Sequence, residues 1–275
     1  MQYNGDMNTT LTFSTLKENK LISILIIVWV LVMITLPIVR TITSESFFYN
    51  SITFSVVLQT TAVLTIVQAA WGWSRTLQTL FIVAILTWMV EAVGSATGIP
   101  FGQYSYTNNL QPQLFHVPLI IPLAWFMMLP SAWAIAQKLA GTNKWQFILL
   151  SAAIFTAWDL FLDPQMVAWD LWVWEQPGGY FGIPWLNYGG WFLTSAVLTA
   201  VIRPPKLPLY PLLIIYTITW ALETIGLILF WGLIGPGLVG FVGMGLFVYL
   251  GWRQRVTVAQ SDSVRAKPTP HNTQH

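Results

Sequence analysis

The sequence predicts an all-α protein, a polytopic transmembrane helix bundle of about eight spans with both termini cytoplasmic. Three observations carry that prediction. Of its 275 residues, 55% are hydrophobic and only 8% charged, whereas about 25% of residues are charged in soluble domains. Crossing a bilayer takes about 20 apolar residues, and such runs fall near 21–39, 52–71, 77–97, 117–137, 146–166, 189–203, 208–231 and 234–252. Basic residues then sort the connecting segments. Lys17 and Lys20 precede the first run and Arg75 separates the second from the third. Lys138 and Lys144 separate the fourth from the fifth, and Arg203 and Lys206 the sixth from the seventh. Arg253, Arg255, Arg265 and Lys267 follow the eighth. With eight spans all these segments share one side, which the positive-inside tendency makes cytoplasmic, and Arg40 alone is left outside.

The first run is too long for a signal-peptide core and no small-x-small cleavage pattern follows it, so it reads as a retained span. Gly232, Gly235, Pro236 and Gly237 punctuate the last two runs as a tight turn or as a break within one long helix; the second case gives seven spans and loses the charge agreement. Residues 1–252 therefore form the transmembrane domain, and the polar segment 253–275, with Pro268 and Pro270, reads as a disordered cytoplasmic tail. The chain has no Cys, which excludes disulfides and thiolate chemistry, and its net charge of +2 gives no reason to expect a nucleic-acid partner.

Acidic residues carry the functional signal. Glu91, Asp159, Asp163 and Glu223 lie inside spans three, five and seven, all in the outward half if those spans run outward. Each buried carboxylate costs roughly 2.5 to 3.5 kcal/mol on insertion scales, and no Lys or Arg within these spans neutralises it. Some of these groups must then share protons with one another or stay protonated, the condition from which a general acid works. The alternative is structural glue between helices. Asp159 and Asp163 stand four residues apart, on one face of a helix. Pro164 then marks an end or a kink.

Aromatic residues surround these acids. Trp169, Trp172, Trp174, Trp185 and Trp191 crowd one outer segment; an interfacial belt explains one or two of them and is the plain alternative for Trp191, whereas five together suggest a lid of π faces over an apolar ligand. In the other outer segment, Tyr104 and Tyr106 carry polar tips suited to ordering water, and His116 is either a proton relay or a surface residue. Gly189 and Gly190 read as the turn into span six. Glu223 either completes the acid cluster or bonds Thr217 or Thr224 within its helix.

The motifs E-x-x-G-x-x-T-G-x-P-F-G-x-Y-x-Y at Glu91–Tyr106, W-D-x-x-x-D-P at Trp158–Pro164 and Y-F-G-I-P-x-x-N-x-x-G-W at Tyr180–Trp191 resemble the membrane-bound carotenoid hydratases of the CruF type, the γ-carotene and bisanhydrobacterioruberin hydratase family. The resemblance implies cofactor-free addition of water across the terminal trisubstituted double bond of a ψ-end carotenoid, giving a tertiary alcohol. Its partners would be a lipid-soluble carotenoid, water, membrane lipids and other carotenoid-biosynthesis enzymes, in a prokaryotic cell membrane. Protonating the less substituted alkene carbon gives a tertiary cation, which calls for a buried acid, aromatic faces and a positioned water. One of Asp159 and Asp163 is then expected as the acid, with the other and Glu91 or Asn187 orienting the water. Trp158, Trp185 and Tyr180 are expected to stabilise the cation, and Tyr104, Tyr106, His116, Trp174 and Glu223 to help line the substrate site. No metal site is expected.

Two other classes share some of these features. The D-x-x-x-D spacing also occurs in UbiA-type prenyltransferases, which hold Mg²⁺ and a diphosphate, but their companion N-D-x-x-D motif and basic residues beside the acids are missing here. A proton pathway or pigment-binding subunit would use the same acids and aromatics, although the inner halves of the spans are almost wholly apolar.

Overall fold

The computed structural model describes residues 20–253. The tail segment 254–275 and the charges at Asp6, Lys17, Glu18, Arg255, Asp262, Arg265 and Lys267 lie outside the described residues. The protein is a bundle of long apolar helices: α1 Lys20–Ile42, α2 Glu45–Thr97, α3 Ile120–Ala140, α4 Lys144–Ala168, α5 Trp185–Ile202, α6 Leu209–Ile225 and α7 Ile234–Trp252. Among the described residues, six helices are long and apolar enough to cross a membrane, counting α6 with the π-helical turn Gly226–Phe230 that extends it. The apolar side chains Leu21, Ile24, Ile27, Leu31, Ile34 and Ile38 of α1 are exposed, as a lipid-facing surface requires.

Helix α2 joins two of the expected spans. Its 53 residues break at Gly72, whose φ of 76° and ψ of 166° are non-helical. In a straight helix Gln59 and Glu91 would be about 48 Å apart, yet both line one cavity, so the chain folds back at Gly72. A positive φ there favours glycine. Ser44 caps the start of α2 by accepting from the Phe47 amide, and Gly98, with φ 77°, ends it.

Between the last two runs the helix widens into the π-turn, stops at Gly232 with φ 69° and restarts at Ile234. The glycine cluster therefore separates two helices that pack against one another. The segments bearing Arg75, Lys138, Arg203, Lys206 and Arg253 meet at one end of the bundle. Arg75 donates to the Ile202 carbonyl at 2.9 Å, Trp71 to that of Lys206 at 3.1 Å, and Lys138 to that of Arg253 at 2.8 Å.

At the other end, the loops fold into two small antiparallel sheets that the helical periodicity did not reveal: β1 Tyr104–Tyr106 pairs with β4 Trp172–Trp174, and β2 Gln113–Leu114 with β3 Val117–Pro118. In the first sheet Tyr104 faces Trp174 and Tyr106 faces Trp172. Alternation along the strands turns these four rings inward and leaves Ser105 and Val173 exposed.

Pro164 does not end its helix, since α4 continues to Ala168. Proline lacks the N–H that would bond the carbonyl four residues back, and that carbonyl, of Leu160, accepts the Tyr180 hydroxyl at 2.9 Å instead. Gly189 and Gly190 likewise lie within α5 rather than in a turn before it. A Cβ on Gly190 would meet the Phe101 ring at 2.6 Å and the Pro100 carbonyl at 2.8 Å, and one on Gly94 would meet Phe101 at 2.7 Å. Phe101 is thus held between α2 and α5 through their glycines. Gly190→Leu is expected to cost about 1 to 3 kcal/mol by overpacking, read as a lower detergent-solubilised melting temperature, whereas Gly189→Ala, which meets nothing within 4 Å, is expected to leave it unchanged.

Candidate active site

Two carboxylate centres open onto one cavity inside the bundle, which together with its mouth comprises about 1050 Å³ of space not filled by atoms. The first belongs to α4. Asp159 and Asp163, a turn apart, are 0% and 2% exposed, with their carboxyl groups adjacent. The side-chain amide of Asn187, on the first turn of α5, donates to Asp159 Oδ2 at 2.9 Å and also to Asp163 Oδ2. Trp172 Nε1, on β4, donates to Asp163 Oδ1 at 2.9 Å. Asp163 and Asn187 line the cavity, whereas Asp159 does not.

The second centre is Glu91, near the end of α2. The hydroxyls of Tyr104 and Tyr106 donate to its Oε2 at 2.5 Å and 2.8 Å, and Trp125 Nε1, on α3, donates to its Oε1 at 3.2 Å. Three donors from two elements therefore converge on one buried carboxylate. Burial first, and Glu91 second, push the Tyr104 and Tyr106 phenols far above their ordinary value, so both remain protonated donors. The β1–β4 pairing joins the two centres, because one sheet carries the two tyrosines on Glu91 and the tryptophan on Asp163.

The walls are aromatic. Trp125, Phe155 and Trp191 stack, with Trp125 and Trp191 centroids 4.6 Å apart at 22° and Phe155 4.8 Å from Trp125. Trp158 stands edge-on to Phe155 and Trp191 at 5.8 and 5.9 Å. Trp158, Trp169, Trp172, Trp174 and Trp191 all line the cavity. Trp191 is buried within this stack rather than lying in an interfacial belt. Among the described residues, no Lys, Arg or His lines the cavity, and no group of three His, Cys, Asp or Glu is placed to hold a metal ion.

Glu223 lines the same cavity beside Gln165, with Gln59 and Thr219 nearby. Gln59 donates to Thr219 Oγ1 at 3.3 Å. Thr217 and Thr224 bond the carbonyls of Leu213 and Trp220 in their own helix.

Three expected site residues lie elsewhere. Tyr180 is buried but serves the carbonyl freed by Pro164. Trp185 is 63% exposed, packed on Tyr180 and Tyr188. His116 is exposed in a separate outer pocket that shares only Tyr106 with the cavity. Conversely, nothing in the sequence marks Trp125 or Trp172 as carboxylate donors, because their partners come from other elements. Gln59 and Gln165, polar residues inside apolar runs, did carry a readable signal.

The model of the family described as carotenoid biosynthesis protein matches residues 51–206. Over 122 residues the chain is 33% identical to the bisanhydrobacterioruberin hydratase of the archaeon Haloarcula japonica, an alignment covering 43% of this chain and 41% of that protein. The chain thus spans about two fifths of the length of the curated relative it matches. No solved structure matches. The expected likeness to the carotenoid hydratases is borne out by both matches. The family match spans α2 to α5, where Glu91, Asp159, Asp163 and Asn187 reside, and takes in more than half the chain: this integral membrane protein belongs to the carotenoid biosynthesis protein family.

Proposed function

We propose that the protein is a carotenoid hydratase that adds water across the terminal 1,2-double bond of a ψ-end carotenoid, giving a tertiary alcohol without a cofactor. The observation that carries this reading is a tryptophan-walled cavity inside the bundle that holds two carboxylate centres and, among the described residues, no cationic side chain. Such a cavity suits an apolar polyene and the acid-base steps that hydration needs.

Asp163 faces the cavity and is assigned the acid. Its carboxyl proton forms the new C–H bond at the less substituted alkene carbon as the π bond breaks. The faces of Trp158, Trp172 and Trp191 stabilise the resulting tertiary cation. Water forms the C–O bond and yields its proton to Glu91, from which a proton returns to Asp163. Asp159, held with Asp163 by the Asn187 amide, tunes the acid from behind. General acid-base assistance of this kind is worth about 10² to 10⁴ in rate.

A prenyltransferase would need groups to meet diphosphate oxygens, and the carboxylates here are met by an amide, indoles and phenols instead. The clustering of Arg75, Lys138, Arg203, Lys206 and Arg253 at the opposite end supports a topology with the site near the outer face, both termini in the cytoplasm and eight crossings of a prokaryotic cell membrane. The test is an assay in isolated membranes with lycopene or γ-carotene in H₂¹⁸O. One ¹⁸O should enter each tertiary alcohol formed, at a rate indifferent to EDTA; a metal-dependent product lacking the label would overturn the assignment.

A further inference from the structure

Of the four oxygens of the aspartate pair, three accept a protein donor: Asp163 Oδ1 from Trp172, and both Oδ2 atoms from Asn187. The fourth, Asp159 Oδ1, is fully buried with no protein partner, and so is the hydroxyl of Tyr188, a residue only 8% exposed. Tyr188 follows Asn187 on α5, the residue whose amide donates to Asp159. Its ring packs edge-on against Tyr180 at 5.1 Å, and the Tyr180 hydroxyl is bound to Leu160, the residue after Asp159. Neither Asp159 nor Tyr188 lines the cavity, although their neighbours Asp163 and Asn187 do.

A buried acceptor on α4 and a buried hydroxyl on α5, two helices packed against one another and each group without a protein partner, are the polar groups that an ordered internal water satisfies. We propose that Asp159 Oδ1 and the Tyr188 hydroxyl hold a buried water behind the aspartate pair, and that Tyr188 is a positioning residue for the acid. This rests on the assignment of Asp163 as the acid. The water is distinct from the one consumed, since the pair stands between it and the cavity. By donating to Asp159 Oδ1, the site favours placing the pair's shared proton on Asp163, the member that faces the substrate. Nothing in the sequence marks Tyr188, since tyrosines are common at membrane interfaces.

Tyr188→Phe keeps the ring and removes the hydroxyl. Infrared difference spectroscopy of the purified, lipid-reconstituted protein identifies the Asp159 carboxylate band as the one lost in Asp159→Asn. In Tyr188→Phe this band should shift, kcat should fall about tenfold as one hydrogen bond to a charged group is lost, and KM should hold. An unshifted band overturns the proposal whatever the activity. A shifted band in a protein that hydrates no carotenoid keeps the water site and removes the hydratase reading. If Tyr188→Phe fails to fold, a high-resolution structure of the unaltered protein decides: density for a water within hydrogen-bonding distance of both atoms supports the site, and its lack overturns it.

Discussion

Asp163→Asn is expected to lower the rate of carotenoid hydration by about 10² to 10⁴, the range over which general acid catalysis contributes, with bound pigment retained. Asparagine preserves the size of the side chain, so the cavity should remain, and its carbonyl can still accept from Trp172, which donates to Asp163 Oδ1 at 2.9 Å. The transferable proton is lost, and so is the Oδ2 acceptor of the Asn187 amide, which a rotation of the Asn187 side chain has to accommodate. Asp159→Asn should also slow the reaction, but less, because Asp163 lines the cavity and Asp159 does not. Steady-state kinetics in lipid nanodiscs check both. An Asp163→Asn enzyme of ordinary rate would move the acid to Glu91.

Glu91→Gln is the second large effect. Tyr104 and Tyr106 both donate to Oε2, and Trp125 donates to Oε1. A glutamine offers one acceptor oxygen and one NH₂, so whichever way it turns, at least one buried donor faces another donor. Leaving a buried polar group unpaired costs about 1 to 3 kcal/mol, which predicts a lower melting temperature. Loss of the base should lower kcat about 10²-fold or more. Replacing Tyr106 by Phe, which deletes one donor and leaves the carboxylate, should reproduce a small part of the stability loss and little of the kcat loss.

The parts of this architecture that were legible in the sequence are those fixed by local chemistry. The cost of burying charge singled out Glu91, Asp159, Asp163 and Glu223, and helical spacing put the two aspartates on one face. All four are buried together, and three of them line the cavity itself. The fold-back at Gly72 agrees with the division of α2 into two apolar runs.

What was not legible depends on chain segments meeting at long range. The β1–β4 pairing joins residues nearly 70 positions apart, and three-residue strands have too short a period to detect. The donors Trp125 and Trp172 could not be told from other tryptophans until their carboxylate partners were in place. Pro164 illustrates a local rule overridden from afar, since the helix break it favours is relieved by Tyr180 bonding the freed Leu160 carbonyl. The same bond removes Tyr180 from the substrate-facing role its sequence position suggested. Gly190, read as a turn residue, turned out to be required for the close approach of Phe101.

The most direct measurement is to express the protein in a lycopene-accumulating bacterial host and resolve the extracted pigments by chromatography and mass spectrometry. Carotenoid hydration predicts a new, more polar pigment one water heavier than its precursor, present with the unaltered protein and missing with Asp163→Asn expressed to the same level. An unchanged pigment profile from well-expressed, folded protein, repeated in hosts making γ-carotene and a longer-chain carotenoid, would contradict it.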